Sequence, residues 1–142
     1  MTPRDDTATA RAILERGRTW AVVGCSPDPR RDSNRVARFL QSHGYRVIPV
    51  NPAVDGELLG ERCYPDLASI PAPEGIDVVD VFRRSDQAGA HVDEASDIGA
   101  EAVWMQLGVV DEDAAERGRA AGLQVVMNRC PMIDHPRFFG GG

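Results

Sequence analysis

What the chain lacks narrows the reading before any motif is considered. Among 142 residues there are three cysteines, Cys25, Cys63 and Cys130, too few and odd in number for a disulfide framework, which fits a reducing compartment. No apolar run approaches the roughly 20 residues that cross a bilayer, and no apolar signal-peptide core follows the polar start Met1-Thr2-Pro3-Arg4-Asp5-Asp6. A cytoplasmic protein without a membrane partner is expected. Lys and Arg number 16 against 22 Asp and Glu, a formal charge of −6. The basic stripe of a nucleic-acid surface is therefore missing, and any anion site must be local. With 42% hydrophobic residues the chain can bury one core. One domain over residues 1–142 is expected, with frayed ends at about 1–6 and 139–142.

Two nucleotide signatures are also absent. A dinucleotide-binding turn needs three spaced glycines and, about 20 residues later, an acidic side chain for the ribose. Here the turn has one glycine, and the following apolar strand ends in Asn51-Pro52, which disfavours NAD. No GxxxxGK[ST] pattern exists to hold a triphosphate and its magnesium, which disfavours ATP hydrolysis.

What is present concentrates between Trp20 and Pro52. Trp20-Ala21-Val22-Val23 is a β-branched apolar run suited to a strand buried on both faces. It ends in Gly24-Cys25-Ser26, where a glycine allows close backbone approach and a hydroxyl sits beside main-chain N–H groups. Pro27, Asp28 and Pro29 then stiffen the chain ahead of Arg30, Arg31 and Ser33, so a helix carrying Val36, Ala37, Phe39 and Leu40 starts beside guanidinium groups. Such a start suits phosphate. The unit closes on Val47-Ile48-Pro49-Val50-Asn51-Pro52.

The alternation continues along the chain. A leading helix is expected at residues 7–16, with Ala10, Ile13 and Leu14 on one face and Gly17 as its stop. A loop with a short extended piece follows at 58–65, then a helical turn at 66–70. Further strands are expected at 76–82, 102–107 and 123–127, with helices near 86–98 and 111–121. Asp111, Glu112 and Asp113 suit the first turn of the latter helix. Repeated βα units imply an α/β fold with a five-stranded parallel sheet covered on both faces. Ligands of such sheets bind beyond the carboxyl strand ends. Those ends carry Gly24-Cys25-Ser26, Val50-Asn51-Pro52, Phe82-Arg83-Arg84 and Gln106-Leu107-Gly108, a convergence of polar, cationic and rigid groups. Phe82 and Trp104 suit either adenine stacking or the core.

These segments carry a resemblance. Val22-Val23-Gly24-Cys25-Ser26-Pro27, the run from Pro29 to Arg35, and Gly44-Tyr45-Arg46-Val47-Ile48-Pro49-Val50-Asn51-Pro52 resemble the small stand-alone CoA-binding proteins. So do Val81-Phe82-Arg83, Trp104-Met105-Gln106-Leu107-Gly108-Val109, and Val125 to Pro131 with His135. That family is similar to the N-terminal domain of the succinyl-CoA synthetase α subunit. The resemblance implies a Rossmann-like three-layer sandwich with strand order 3-2-1-4-5 and coenzyme A at its carboxyl edge. It implies Gly24, Cys25 and Ser26 at the diphosphate with Arg31 and Ser33 nearby. Val50, Asn51 and Pro52 would border the adenosine, and Phe82 and Arg83 the nucleotide or the start of the pantetheine arm. Gln106 and Gly108 belong to the same edge. An extra arginine in place of a ribose-binding carboxylate suits the 3′-phosphate of CoA.

The synthetase reaction is not expected, because it needs a phosphorylated histidine in a second domain and a nucleotide-activating subunit. His43 and His91, on expected helices, are read as solvent-exposed. Cys130 with His135 is the sharpest catalytic pair, as nucleophile or redox centre, against a plainer reading of a packed thiol and a histidine in a C-terminal loop. One Cys-x4-His pair gives two ligands where structural zinc needs four, so no metal is expected. Cys25, in the ligand turn, is a candidate for a mixed disulfide with CoA. Phe138 and Phe139 read as an apolar anchor before the glycine tail. The expected function is thus a non-catalytic CoA or acyl-CoA binder. The alternatives are a small enzyme acting on a CoA thioester or disulfide through Cys130 or Cys25, and a binder of another adenine nucleotide.

Overall fold

Five apolar runs, each too short for a helix and too apolar for a one-sided strand, build the central sheet. In the computed structural model, which describes residues 6–140, these are β1 (Thr19–Val23), β2 (Arg46–Val50), β5 (Val78–Val81), β6 (Ala102–Met105) and β7 (Gln124–Val126). All neighbouring strands in it are parallel. A two-stranded hairpin, β3 (Glu57–Leu58) and β4 (Glu61–Arg62), lies after β2.

Alternating side chains divide the core in two. Ala21, Val23, Val79, Val81, Val103 and Met105 meet α3 (Ser85–Asp97) and α4 (Glu112–Ala120) on one face. On the other, Trp20, Val22, Val78 and Trp104 meet α1 (Thr7–Arg16), α2 (Asp32–Ser42) and α5 (Pro131–Phe139). The result is a Rossmann-like three-layer sandwich. Trp104 is fully buried, its ring 5.7 Å from that of Trp20 and its Nε1 donating to Arg129 O at 3.0 Å, so it belongs to the core rather than to a stacking surface.

The strand order needs one amendment. The sheet runs β2-β1-β5-β6-β7, which is 2-1-3-4-5 in chain order and not 3-2-1-4-5. The third long strand lies on the far side of β1, where Asp77 Oδ2 accepts from Arg18 N and Thr19 N at 2.9 and 3.0 Å. Outside β2 there is only a single parallel bridge between Val50 and Tyr64. Tyr64 N donates to Pro49 O on that outer edge, so the N–H that Pro49 lacks is missing from the same edge and a full ladder cannot form.

The C-terminal loop expected around His135 is also amended. Pro131 opens α5 at its first turn, where a proline's fixed φ and missing N–H are tolerated. Arg129 then donates to buried Asp134 at 2.7 Å. The frayed ends expected at 1–6 and 139–142 fall mostly outside the described residues, but Asp6 pairs with Arg119 and Phe139 belongs to α5. Among the described residues no helix is long and apolar enough to cross a membrane.

Helices α3 and α4 approach closely because Gly118 has no side chain. A Cβ there would sit 2.8 Å from Val92 Cγ1 and 3.1 Å from Val125 Cγ2, both in fully packed positions. Gly118→Ala gains up to about 1 kcal/mol of helix propensity but meets overpacking of about 1–3 kcal/mol. Net destabilisation of about 1 kcal/mol is expected in urea unfolding, and a more stable variant would contradict this packing.

Candidate functional site

The turn after β1 is held from both sides. Gly24 N and Cys25 N both donate to Val50 O, at 2.8 and 3.3 Å, and Ser26 N donates to Ser33 Oγ at 2.9 Å. Gly24 adopts φ +83, and a Cβ on it would sit 2.7 Å from Phe82 O. The glycine therefore allows one strand end to approach another. The three N–H groups expected to face a diphosphate are all engaged within the protein, and Cys25 is fully buried. Gly24 and Ser26 nonetheless line the cavity that includes Arg31 and Ser33.

Unused donors lie one step further on. The first turn of α2 has N–H groups with no intrahelical partner, and the side chain of its N-cap, Arg31, does not accept from them. Neighbouring arginines are matched by carboxylates: Arg30 with Asp28 at 3.1 Å, Arg84 with Asp86 at 3.3 Å, and Arg35 with Asp32. The Arg30 side chain holds the half-buried Asp28 carboxyl below its usual range. Arg31 and Arg83 form no such pair among the described residues; Arg83 donates only to Gln87 Oε1, at 2.8 and 3.2 Å. These two guanidiniums leave net positive charge at the carboxyl edge.

Three hollows run along that edge and share walls. A cavity of about 340 Å³ is lined by Gly24, Ser26, Arg31, Asp32, Ser33 and Phe82. It meets, across Asp32 and Phe82, a mostly apolar cavity of about 430 Å³ that includes Val36, Arg83, Gln106, Leu107, Val109, Cys130, Met132 and Ile133. On the opposite side, across Gly24, lies a small hollow of about 120 Å³ bounded by Val23, Val50, Pro52, Leu67, Arg83 and His91. Asn51 supports its wall, donating from Nδ2 to Cys25 O at 2.9 Å and accepting from Ala53 N. Gly108 does not line these hollows; its N–H donates to Asn128 Oδ1 and shapes the adjoining loop.

The histidines and thiols fall differently from expectation. His91 is half-buried, bonded to Glu94 at 2.7 Å and facing the small hollow. His43 is half-buried too, its ring 4.1 Å from Phe39. His135 packs against Phe39, His43, Tyr45 and Phe139. Burial, then the neighbouring His43, lowers its pKa, and its ring contacts are with this cluster rather than with Cys130. Burial pushes the Cys25 thiol up to about 12 and raises Cys130 as well. Among the described residues no group of three or more His, Cys, Asp or Glu is arranged to hold a metal.

One buried polar residue lies outside the candidates drawn from the sequence. Asp80, in β5, is fully buried and accepts from Gln106 Nε2 at 2.7 Å. Burial raises its pKa to about 8, and the Gln106 hydrogen bond only partly opposes this. Within the apolar string Val78-Val79-Asp80-Val81 it could have been flagged as the single charge in a two-face-buried strand.

A parallel α/β sandwich with a cleft across its carboxyl strand ends is the Rossmann-like class of domain, in which ligands bind at that edge. The profile of the CoA binding domain family matches residues 18–136, and the chain belongs to that family. YneT of Bacillus subtilis is 39% identical over 128 residues, covering 90% of this chain and 93% of YneT. A hypothetical protein of Pyrococcus horikoshii superposes with TM-score 0.88 at 39% identity, covering 99% of each chain. The dinucleotide-forming acetyl-coenzyme A synthetase 1 of Candidatus Korarchaeum cryptofilum superposes with TM-score 0.68 at 27% identity. That match covers 80% of this chain and 26% of the synthetase.

The Asp80 environment sets a pH dependence of stability. Because its folded pKa is raised, to about 8, the native protein keeps a proton that the unfolded chain releases near pH 4. This contribution is complete below about pH 4 and is lost as pH rises through about 8. Asp80→Asn has no such proton to lose. Between pH 5 and 8 its urea midpoint should move upward relative to that of the wild type; a constant difference would show that Asp80 is not held protonated.

Proposed function

We propose that the cleft binds coenzyme A or acyl-CoA, and that this chain holds the ligand without transforming it. The carrying observation is the match between three joined hollows and the three parts of the molecule. The small hollow beside Val50 and Pro52 suits the adenine end. The middle cavity, with Arg31, Ser33 and the α2 N-terminus, suits the phosphates. The long apolar cavity over Phe82 and Gln106 suits the pantetheine arm, and Arg83 reaches both ends. Family membership supports the same ligand.

Binding without catalysis is favoured by the state of the thiols. The thiolate is the nucleophile, and burial works against it at Cys25 and at Cys130. Cys25 has no exposed surface, which argues against the mixed disulfide at that position. The three free cysteines suit the reducing conditions of a cytoplasmic protein.

Calorimetric titration with CoA, ADP and NAD tests the assignment. CoA is expected to bind most tightly. Arg31→Ala combined with Arg83→Ala should weaken it by at least about tenfold, since a hydrogen bond to a charged group contributes about 1.5–3 kcal/mol before surface screening. Equal affinity for ADP and CoA would replace the assignment with a general adenine-nucleotide site, and undiminished binding by the double variant would remove the two arginines from it.

A further inference from the structure

Beneath the apolar cavity lies a carboxyl group sealed from solvent. Asp80 stands in register with Val22 of β1 and Trp104 of β6 and shows no surface. Its Oδ1 accepts from Gln106 Nε2 at 2.7 Å. Its Oδ2 is the one sealed side-chain oxygen or nitrogen without a partner among the described residues. Its titratable neighbours are Cys25 and Cys130, which approach from the ends of β1 and of the segment before α5. An apolar side chain would fill this place without the desolvation cost of a carboxyl, so what Asp80 supplies is directional.

The direction it supplies is that of Gln106. A carboxamide has a donor end and an acceptor end of nearly equal shape, and an unheld glutamine can present either to a ligand. Here the donor end is drawn down to Asp80, and Gln106 Oε1 accepts no hydrogen bond from any described residue. It is also not among the sealed atoms, so it opens on the cavity that Gln106 lines. The lining of that cavity is mostly apolar, with Val36, Phe82, Leu107, Val109 and Met132, and also includes the charged Asp32, Arg35 and Arg83. A ligand reaching this point meets the Gln106 oxygen in a mostly apolar cavity, and leaving that acceptor unmatched on desolvation is unfavourable.

We propose that Asp80 is a positioning residue that turns the Gln106 carboxamide oxygen into the apolar cavity, where it selects ligands bringing an amide N–H or a thiol S–H. The proposal rests on the CoA-binding reading and deepens it, because the pantetheine arm offers both donors whereas the nucleotide end offers neither at this position.

Three ligands test it by calorimetry: CoA, adenosine 3′,5′-bisphosphate, which lacks the arm, and acetyl-CoA, whose sulfur has no proton. Asp80→Leu and Gln106→Ala should each weaken CoA about three- to tenfold, the value of one such hydrogen bond, and leave the bisphosphate unchanged. Asp80→Asn, whose amide oxygen can still accept from Gln106, should restore CoA affinity toward that of the wild type. An equal drop for acetyl-CoA supports the amide as donor, and no drop supports the thiol. Equal loss on CoA and the bisphosphate, or no loss on either, would overturn the positioning role while leaving nucleotide binding intact. A wild-type protein that binds neither would overturn the CoA reading and this proposal with it. Should Asp80→Leu not fold, hydrogen exchange of the Gln106 side-chain amide in the wild type decides: slow exchange is expected, and exchange at the rate of free glutamine would overturn the proposal.

Discussion

The Val50 carbonyl, accepting from both Gly24 N and Cys25 N, fixes how the carboxyl edge of this sheet is put together. It joins the end of β2 to the end of β1, and the contact of Gly24 with Phe82 O adds the end of β5. The three strand ends are drawn so close that an L side chain at residue 24 would have both the wrong φ and no room. The joined hollows diverge from this junction, with Gly24 in the wall of two of them. While the junction uses its own N–H groups, the first turn of α2 and the guanidiniums of Arg31 and Arg83 carry the positive charge of this edge. The same closure explains why Ser33 is nearly buried at a helix start: its Oγ accepts from Ser26 N and turns the chain from the junction into α2.

Where a segment's local pattern and its tertiary fate agree, the fold was legible. Ala10, Ile13 and Leu14 mark one face of α1, and Gly17 ends it because a Cβ there would sit 2.5 Å from Val78 Cγ2. The β-branched runs at β1, β5 and β7 needed only burial on both faces to become strands. Two features escaped the pattern. The helix α5 begins at a proline and contains another, Pro136, so its propensity argues against it; its apolar contacts with α1 and α2, and the Arg129–Asp134 pair, override that propensity. The strand order escaped as well, since it depends on Asp77 holding β5 beside β1 over a sequence distance of more than 50 residues.

The site was legible as residue types at strand ends and less so as contacts. Arg31, Ser33, Phe82, Arg83 and Gln106 meet in the cleft, as the convergence of strand ends required. Which arginines are available was not readable, because it depends on which carboxylates fold back on Arg30, Arg35 and Arg84. Sequence proximity misled for Cys130 and His135. Five residues along a helix rotate His135 into the ring cluster with Phe39 and His43, whereas Cys130 remains at the cleft wall.

The electrostatics of the cleft floor bear on which chemistry it can host. Cys25, Cys130 and Asp80 are each harder to ionise because burial removes water from the charged form, and Asp80 adds to that cost at both thiols. At Cys130, the N-cap of α5, the N–H groups of Met132 and Ile133 favour the thiolate, but burial outweighs them. Of the two guanidiniums at this edge without a carboxylate partner among the described residues, Arg31 lines the middle cavity, and Arg83 lines both the small hollow and the apolar cavity that also includes Cys130. The cleft thus joins a positively charged rim to a floor whose buried groups resist ionisation.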